Sequence, residues 1–484
     1  MSIRNLEPKA MWNHFADLNA VPRPSKKEER VIEFMMNFGK SLGLETIQDK
    51  IGNVIIKKPA SKGMEDRETV ILQSHIDMVH QKNSDTVFDF DTQGIEMLVD
   101  GDWVKANGTT LGADNGIGVA SIMAILASSD IDHPAIEGMF TIDEETGMTG
   151  AIHLDGSNFT GKILLNLDTE DDDELSIGCA GGIDTNTSYN YSQVDINKDF
   201  IGYQISIKGL LGGHSGMDID KGRGNANKLM NRIHYHLHSL TELQIISIDG
   251  GSLRNAIPRE SKSVIAIHKD YAPTFEKEIT RIAQELAFEL KTIEPHLEIH
   301  WTPTEISERA ISSEDMMKIL NALYSVHNGV FRMSPDIKGL VETSSSLARV
   351  IVKEGSFITQ SLQRSSVEST KSDVANSIRA SFENIGAAVV QSGDYPGWQP
   401  NPTSPILNLM TDLYKEMFKD EPYVKACHAG LECGILGKHL PGTDMISFGP
   451  NIRAAHSPDE KVQISSVQKY WGYLLETLKR IPKK

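Results

Sequence analysis

The chain has 484 residues, is 39% hydrophobic and 24% charged, and carries a formal net charge of -18. That length exceeds one compact core and predicts two or three domains of an ordinary soluble globular protein. A field of that sign repels phosphate backbones and excludes nucleic acid as an expected partner.

The opening MSIRNLEPKAMWNHF lacks the apolar core and small-residue cleavage site of a signal peptide. TVILQSHIDMV (69–79) is an apolar, β-branched run that ends in polar residues. GIGVASIMAILA (116–127) reads as a buried helix, too short to span a bilayer, so no membrane partner and a cytoplasmic setting are expected. AIEGMFTIDEETG (135–147) and KILLNLDTED (162–171) repeat the pattern of a short buried strand with a polar end. Strands alternating with helical segments predict an α/β sheet with helices on both faces, its chemistry collected where strand ends open into loops.

From about Tyr189 the texture changes. FIGYQISIKGLLGGHSG (200–216) and SVIAIHKDY (263–271) predict strands, and 224–240 and 275–293 carry amphipathic helical spacing. This predicts a separate, inserted α+β domain, closed by the turn-rich stretch QSGDYPGWQPNPTSP (391–405). The strand TDMISFGP (443–450) then returns to the first domain, and a last helix follows, capped by a Ser465–Gln468 box and stopped by Pro482. The expected division is 1–187 and 395–484 for the α/β domain and 188–394 for the insertion. Three cysteines, Cys179, Cys427 and Cys433, are too few for a disulfide scaffold and fit a reducing compartment; Cys179 and Cys433 read as small buried residues.

Five segments carry candidate chemistry. In His75-Ile76-Asp77, residues two apart in an extended segment face one side, so Asp77 can hold the far nitrogen of a metal-binding His75. Asp114, in the glycine-flanked GADNG, fits either a bridge between two cations or a helix N-cap. Glu144 and Glu145 in DEETG are costly to crowd unless cations or solvent neutralise them; one can bind metal while its neighbour faces a water. Asp168 ends ILLNLD, and the acidic run after it reads as solvated surface. His456, in GPNIRAAHSPDE, is an unremarkable loop histidine on its own. Together the five make the parts list of a two-metal hydrolytic site, each placed just past a strand of what should be one sheet.

The chain resembles the aminoacylase and carnosinase type of dinuclear zinc peptidases over essentially its whole length. The shared motifs run in order: LQSHIDMV, TTLGADNGIG, DEETGM, LNLDTED, GCAGGID, GGHSG, RNAIPRE, HAGLECG and AHSPDE. The resemblance implies two Zn2+ ions per chain, with Co2+ or Mn2+ as alternatives. His75 and Asp168 would bind one ion, Glu145 and His456 the other, with Asp114 bridging, Asp77 orienting His75 and Glu144 as general base. It implies a cis peptide after Asp114, an inserted lid domain and a homodimer formed through that lid. His214 in GGHSG would reach the scissile carbonyl, and Asn255 and Arg364 would contact substrate, the arginine at its terminal carboxylate. The implied substrates are dipeptides, with a preference for C-terminal histidine. Glu432 lies in a shared motif without an assigned role. A wider aminopeptidase or an N-acyl amino acid deacylase would use the same metal site. A binding protein that has lost catalysis would have no need of Glu144.

Overall fold

A computed structural model describes residues 2–484. The chain divides into two compact units. The first comprises the chain up to Gly178, Trp398–Ala426 and Leu431–Lys484; the second comprises Cys179–Gly397 and Cys427–Gly430. These divisions lie somewhat away from 187/188 and 394/395. The reason is that Gly181–Asn190 is an interior strand of the second unit, paired with Ser356–Ser365 on one side and Ala388–Tyr395 on the other. Ala388–Tyr395 also carries strand into the first five residues of the stretch 391–405 that reads as turn-rich. It is a largely exposed strand at the edge of its sheet, where polar residues are tolerated, so QSGDY resembles loop sequence.

The first unit is built on an eight-stranded mixed sheet. Four of its strands run parallel: β1 (Val70–His75), β2 (Ile136–Thr141), β3 (Ile163–Asn166) and β4 (Asp444–Ser447). Every residue of β1, β2 and β3 is buried, as expected for strands covered on both faces, where no polar alternation is possible. Their internal polar groups bond to one another; Asn166 Nδ2 donates to Gln73 Oε1 at 2.5 Å. Parallel pairing brings the C-terminal ends of these strands to one edge. The helix α1 (Ala113–Ala127) is buried along nearly its whole surface, which is why its sequence is apolar all round.

A second, four-stranded sheet lies in the same unit, in the order Ile452–Arg453, Lys461–Gln463, Trp103–Ala106, Met97–Asp100. Loop 107–112 leaves Trp103–Ala106, and loop 454–460 enters the neighbouring Lys461–Gln463 at the same end of the sheet. The C-terminal helix α2 (Ile464–Arg480) starts without the expected Ser465–Gln468 box. Asp102 supplies the acceptors instead: Ser465 donates to it through N at 3.0 Å and Oγ at 2.5 Å, while Gln468 Nε2 donates to the Glu7 carbonyl at 3.2 Å. A carboxylate accepts these bonds more strongly than a neutral side chain does, so the tertiary partner displaces the local one.

The second unit carries a nine-stranded sheet in which all pairings are antiparallel. Its helices include Ala226–His238, Ala272–Leu290, Ser313–Ser325 and Glu368–Glu383. One apolar core joins sheet and helices through residues such as Ile205, Ile233, Phe275, Ile279 and Phe357. Among the described residues no helix is long and apolar enough to cross a membrane.

Candidate metal centre

His75 closes β1 and is buried. Its Nε2 lies 3.1 Å from Asp114 Oδ1, 3.6 Å from Asp168 Oδ1 and 4.0 Å from Glu144 Oε2. The other oxygen of Asp114, Oδ2, lies 3.1 Å from His456 Nε2, and Glu145 Oε2 lies 3.0 Å from that same nitrogen. All five expected ligands and Glu144 therefore meet in one place. The peptide between Asp114 and Asn115 is cis. One expectation is corrected: the five do not all follow strands of one sheet. His75 stands at the end of β1, and Glu145 and Asp168 just past the ends of β2 and β3. Asp114 lies instead in the non-helical first turn of α1, just after loop 107–112 of the four-stranded sheet, and His456 lies in loop 454–460 of that sheet. Two sheets are needed because an edge supplies groups from one side only, and a cation needs donors around it.

Asp77 does more than the spacing suggested. Its Oδ1 lies 3.3 Å from His75 Nδ1, and the Asp77 carbonyl lies at the same distance. Both are acceptors, so Nδ1 carries a proton and Nε2 is the nitrogen left for a cation. The same carboxylate accepts the backbone N–H of Glu144 at 3.1 Å and of Glu145 at 3.3 Å, and the hydroxyl of Ser25 at 2.8 Å. One residue thus fixes the His75 ring and anchors the turn that presents the Glu pair.

The charges suit cations. The ligand atoms of His75, Asp114 and Glu145 all lie within 4.8 Å of one another, and Glu145 Oε1 is buried with no hydrogen-bond partner. Burial, reinforced by Asp168, Glu432 and Glu145, drives the Glu144 carboxyl well above its ordinary range. Burial likewise lifts Asp168 to about 6, with Asp114 adding repulsion, and Glu170 to about 8, with Asp114 and Asp168 adding to it. So many buried carboxylates are unfavourable together unless positive charge joins them. In the cation-free chain, protons on the imidazoles play that part. Hydrogen bonds to Asp114 and Glu145 hold His456 up to about 11. Burial opposes a charge on His75, but Asp168, Asp114 and Asp77 outweigh it and keep its pKa well above the ordinary value.

A pH dependence follows. Cations take neutral imidazole, so these protons must leave on binding. Cation uptake at pH 7 is expected to release at least one proton, and affinity to rise roughly tenfold per pH unit for each proton released. The His456 pairs stabilise the cation-free fold fully below the unfolded value of 6.5, and that contribution is lost as pH rises through about 11. Calorimetric titration of zinc in buffers of different ionisation enthalpy measures the proton count; enthalpies independent of buffer would refute it.

Three supporting residues have no role assigned from the sequence: Glu432, noted there only for its place in a shared motif, and Arg23 and Glu460, not singled out at all. Glu432 is fully buried; its Oε2 accepts from Gln73 Nε2 at 2.6 Å and Thr141 Oγ1 at 2.8 Å. Burial, with Asp168 and Asp77 nearby, raises it to about 7. Arg23 and Glu460 are buried charges bonded to backbone around the ligands. Glu460 at least lies in the shared motif AHSPDE with the expected ligand His456, whereas Arg23 lies in none of the shared motifs.

In the second unit the structure brings together three expected residues. Ser215 N donates to the Asn255 carbonyl at 2.8 Å, which ties the exposed Asn255 segment to the His214 loop. His214 Nδ1 accepts the backbone N–H groups of Gly216 at 3.2 Å and Met217 at 3.0 Å, so a neutral ring carries its proton on Nε2. Burial and the nearby Arg364 lower His214 to about 4, which keeps it neutral. Arg364 Nη2 lies 3.4 Å from His214 Nε2, and its Nη1 donates to Tyr395 Oη at 3.1 Å. His428, not singled out from sequence, has Nε2 2.7 Å from Ser344 Oγ.

Residues 205–294 match the profile of a peptidase dimerisation domain, the M20 type. The chain is 40% identical over 483 residues to the cytosol non-specific dipeptidase of Escherichia coli, covering 100% of this chain and 99% of that one. The crystal structure of aminoacylhistidine dipeptidase from Vibrio alginolyticus superposes with a TM-score of 0.95 at 41% identity, covering 100% of this chain and 99% of the other. The fold is shared more widely: aminopeptidase PepT of Bacillus cereus gives a TM-score of 0.57 at 16% identity over 98% of this chain and 99% of its own. With its full length matched at this level, the chain belongs to the M20 family of metallopeptidases, in the branch that these two dipeptidases represent.

Proposed function

We propose that the chain hydrolyses dipeptides at a two-cation centre with Glu144 as general base. One observation carries this reading: the two oxygens of Asp114 face different imidazoles at 3.1 Å each, the arrangement of a carboxylate that bridges two ions. His75 and Asp168 would hold one cation, and Glu145 and His456 the other. A set of imidazoles and carboxylates suits zinc, with cobalt and manganese as alternatives. When bound, the cations supply a Lewis acid for the scissile carbonyl and lower the pKa of water.

The residues of the chain do the rest. Glu144 takes a proton from the attacking water on a carboxylate oxygen and returns it to the amine nitrogen as the C–N bond breaks. Asp77 keeps the His75 proton on Nδ1 and holds the Glu144 turn in place. His214 donates through Nε2 to the carbonyl oxygen as negative charge grows there. Arg364 grips the free α-carboxylate, which restricts substrates to short peptides, and Asn255 adds a further substrate contact. Support for the pair comes from their neighbouring nitrogens: a protonated Nε2 and a guanidinium nitrogen 3.4 Å apart are both donors, and together they suit a substrate that offers acceptor oxygens to each. The match to a dimerisation domain supports a homodimer formed through the inserted unit. The name of the E. coli relative supports work in the cytosol.

The finer point is a preference for C-terminal histidine, on which the two relatives' names differ. The test is a panel of Ala-His, β-Ala-His, histidine-free dipeptides, tripeptides and N-acyl amino acids, with metal-stripped and zinc-loaded protein. Dipeptides should be cleaved only by the loaded protein, fastest with C-terminal histidine. Equal or faster cleavage of tripeptides or N-acyl substrates would replace this reading with an aminopeptidase or a deacylase. No cleavage of any of them would leave a binding protein.

A further inference from the structure

Two buried charges outside the ligand set hold the backbone that carries Asp114. Glu460 is 2% exposed, and its carboxylate accepts four consecutive backbone N–H groups. Oε2 takes Leu111 N at 2.7 Å and Gly112 N at 2.9 Å; Oε1 takes Ala113 N at 2.7 Å and Asp114 N at 3.3 Å. Arg23, 1% exposed, holds the carbonyl side: its Nη2 donates to Gly112 O at 2.6 Å, and its Nη1 to Asp77 O at 2.9 Å and Ile76 O at 3.2 Å.

These contacts answer a need that the local sequence leaves open. A helix start exposes N–H groups without partners, which a Ser, Thr, Asp or Asn cap would normally satisfy. Here the cap position is Gly112, in the left-handed region at φ +68, with no side-chain cap. Glycine is required twice over, because a Cβ there would stand 2.5 Å from an Arg23 nitrogen. The missing acceptor has to come from elsewhere in the chain, and it comes from the loop that carries His456, four residues earlier in sequence. Glu460 therefore fastens the segment of one ligand to the loop of another. Arg23 fastens the same segment to the end of β1, where His75 and Asp77 stand.

We propose that Glu460 and Arg23 are positioning residues that preset Asp114 between the two imidazoles before any cation arrives. This rests on the two-cation reading above. A rigid bridge of this kind spares the cations the cost of ordering the loop, as groups behind metal ligands commonly do.

Glu460→Gln is nearly the same shape, but its NH2 faces two backbone donors and leaves them without an acceptor. Metal-stripped wild type and E460Q are titrated with Zn2+ against a competing chelator, and with Co2+ while its visible absorption is followed. Wild type should take up two ions. E460Q should keep the wild-type circular dichroism, bind roughly 10- to 100-fold more weakly, and show a changed Co2+ spectrum. Wild type that takes up no ion overturns the two-cation reading and this inference with it. Two ions in wild type, matched in affinity and spectrum by E460Q, overturn this inference alone. If E460Q does not fold, hydrogen exchange on cation-free wild type decides: slow exchange at the amides of residues 111–114 supports a preset loop, and exchange as fast as in exposed loops overturns it.

Discussion

Glu144→Gln is expected to keep the fold and both cations while turnover falls by about 10²- to 10⁴-fold, the range for loss of a positioned acid–base group. The turn that carries Glu144 does not depend on its side chain. It is fixed by the backbone N–H groups of Glu144 and Glu145 on Asp77. It is also fixed by Asp143, whose carboxylate pairs with Lys26 at 2.6 Å and accepts the Thr146 and Thr149 hydroxyls. The variant should even stabilise the cation-free protein. An acid whose folded pKa is raised by burial binds more protons folded than unfolded, so stability falls as pH climbs from the unfolded value of 4.5 towards the raised one. Glutamine carries no such penalty. Cation-free E144Q should melt above wild type at pH 8, with the gap closing below about pH 4.5. Steady-state kinetics on zinc-loaded protein, metal analysis and melting curves at the two pH values check the three parts. Turnover within tenfold of wild type would remove Glu144 from the chemistry.

The candidate ligands at strand ends are legible in the sequence for a physical reason. A parallel strand buried on both faces is an unbroken apolar run, so the first polar residues after it mark the edge of the sheet. His75, Glu145 and Asp168 are found in this way. Asp114 and His456 are weak candidates when each is read alone, because the strands near them are short and partly exposed and belong to another sheet. Arg23 lies beyond both the strand-end pattern and the motif resemblance, and Glu460 is marked only by falling in the shared motif AHSPDE, which says nothing of its role. Their partners are backbone groups 53 to 89 and 346 to 349 residues away, and a carbonyl or N–H has no identity in the sequence. The failed cap at Ser465 has the same origin: Asp102 is 363 residues distant and binds more strongly than the neighbour the local pattern nominates.

Asp114→Ala should have the opposite thermodynamic signature to Glu144→Gln and the larger loss of activity. Burial disfavours a charge on Asp114, yet hydrogen bonds from His456 and His75 hold its pKa below the ordinary carboxylate range. A carboxylate with a depressed folded pKa contributes stability above its unfolded value near 3.8, and loses it as pH falls through the folded value. Removing it at neutral pH leaves two imidazoles without the acceptor they share. Cation-free Asp114→Ala should therefore melt below wild type at pH 7, by a margin that shrinks in acid. With the bridge gone, neither cation has its full donor set, and uptake should fall from two ions to one at most. Activity should drop to the buffer background and stay there in excess zinc. Chelator-stripped wild type, by contrast, should regain its activity when zinc is returned. That contrast separates a missing ligand from a missing metal. Two tightly bound ions and wild-type turnover in Asp114→Ala would mean that the residue between the imidazoles is not the bridge on which the site depends.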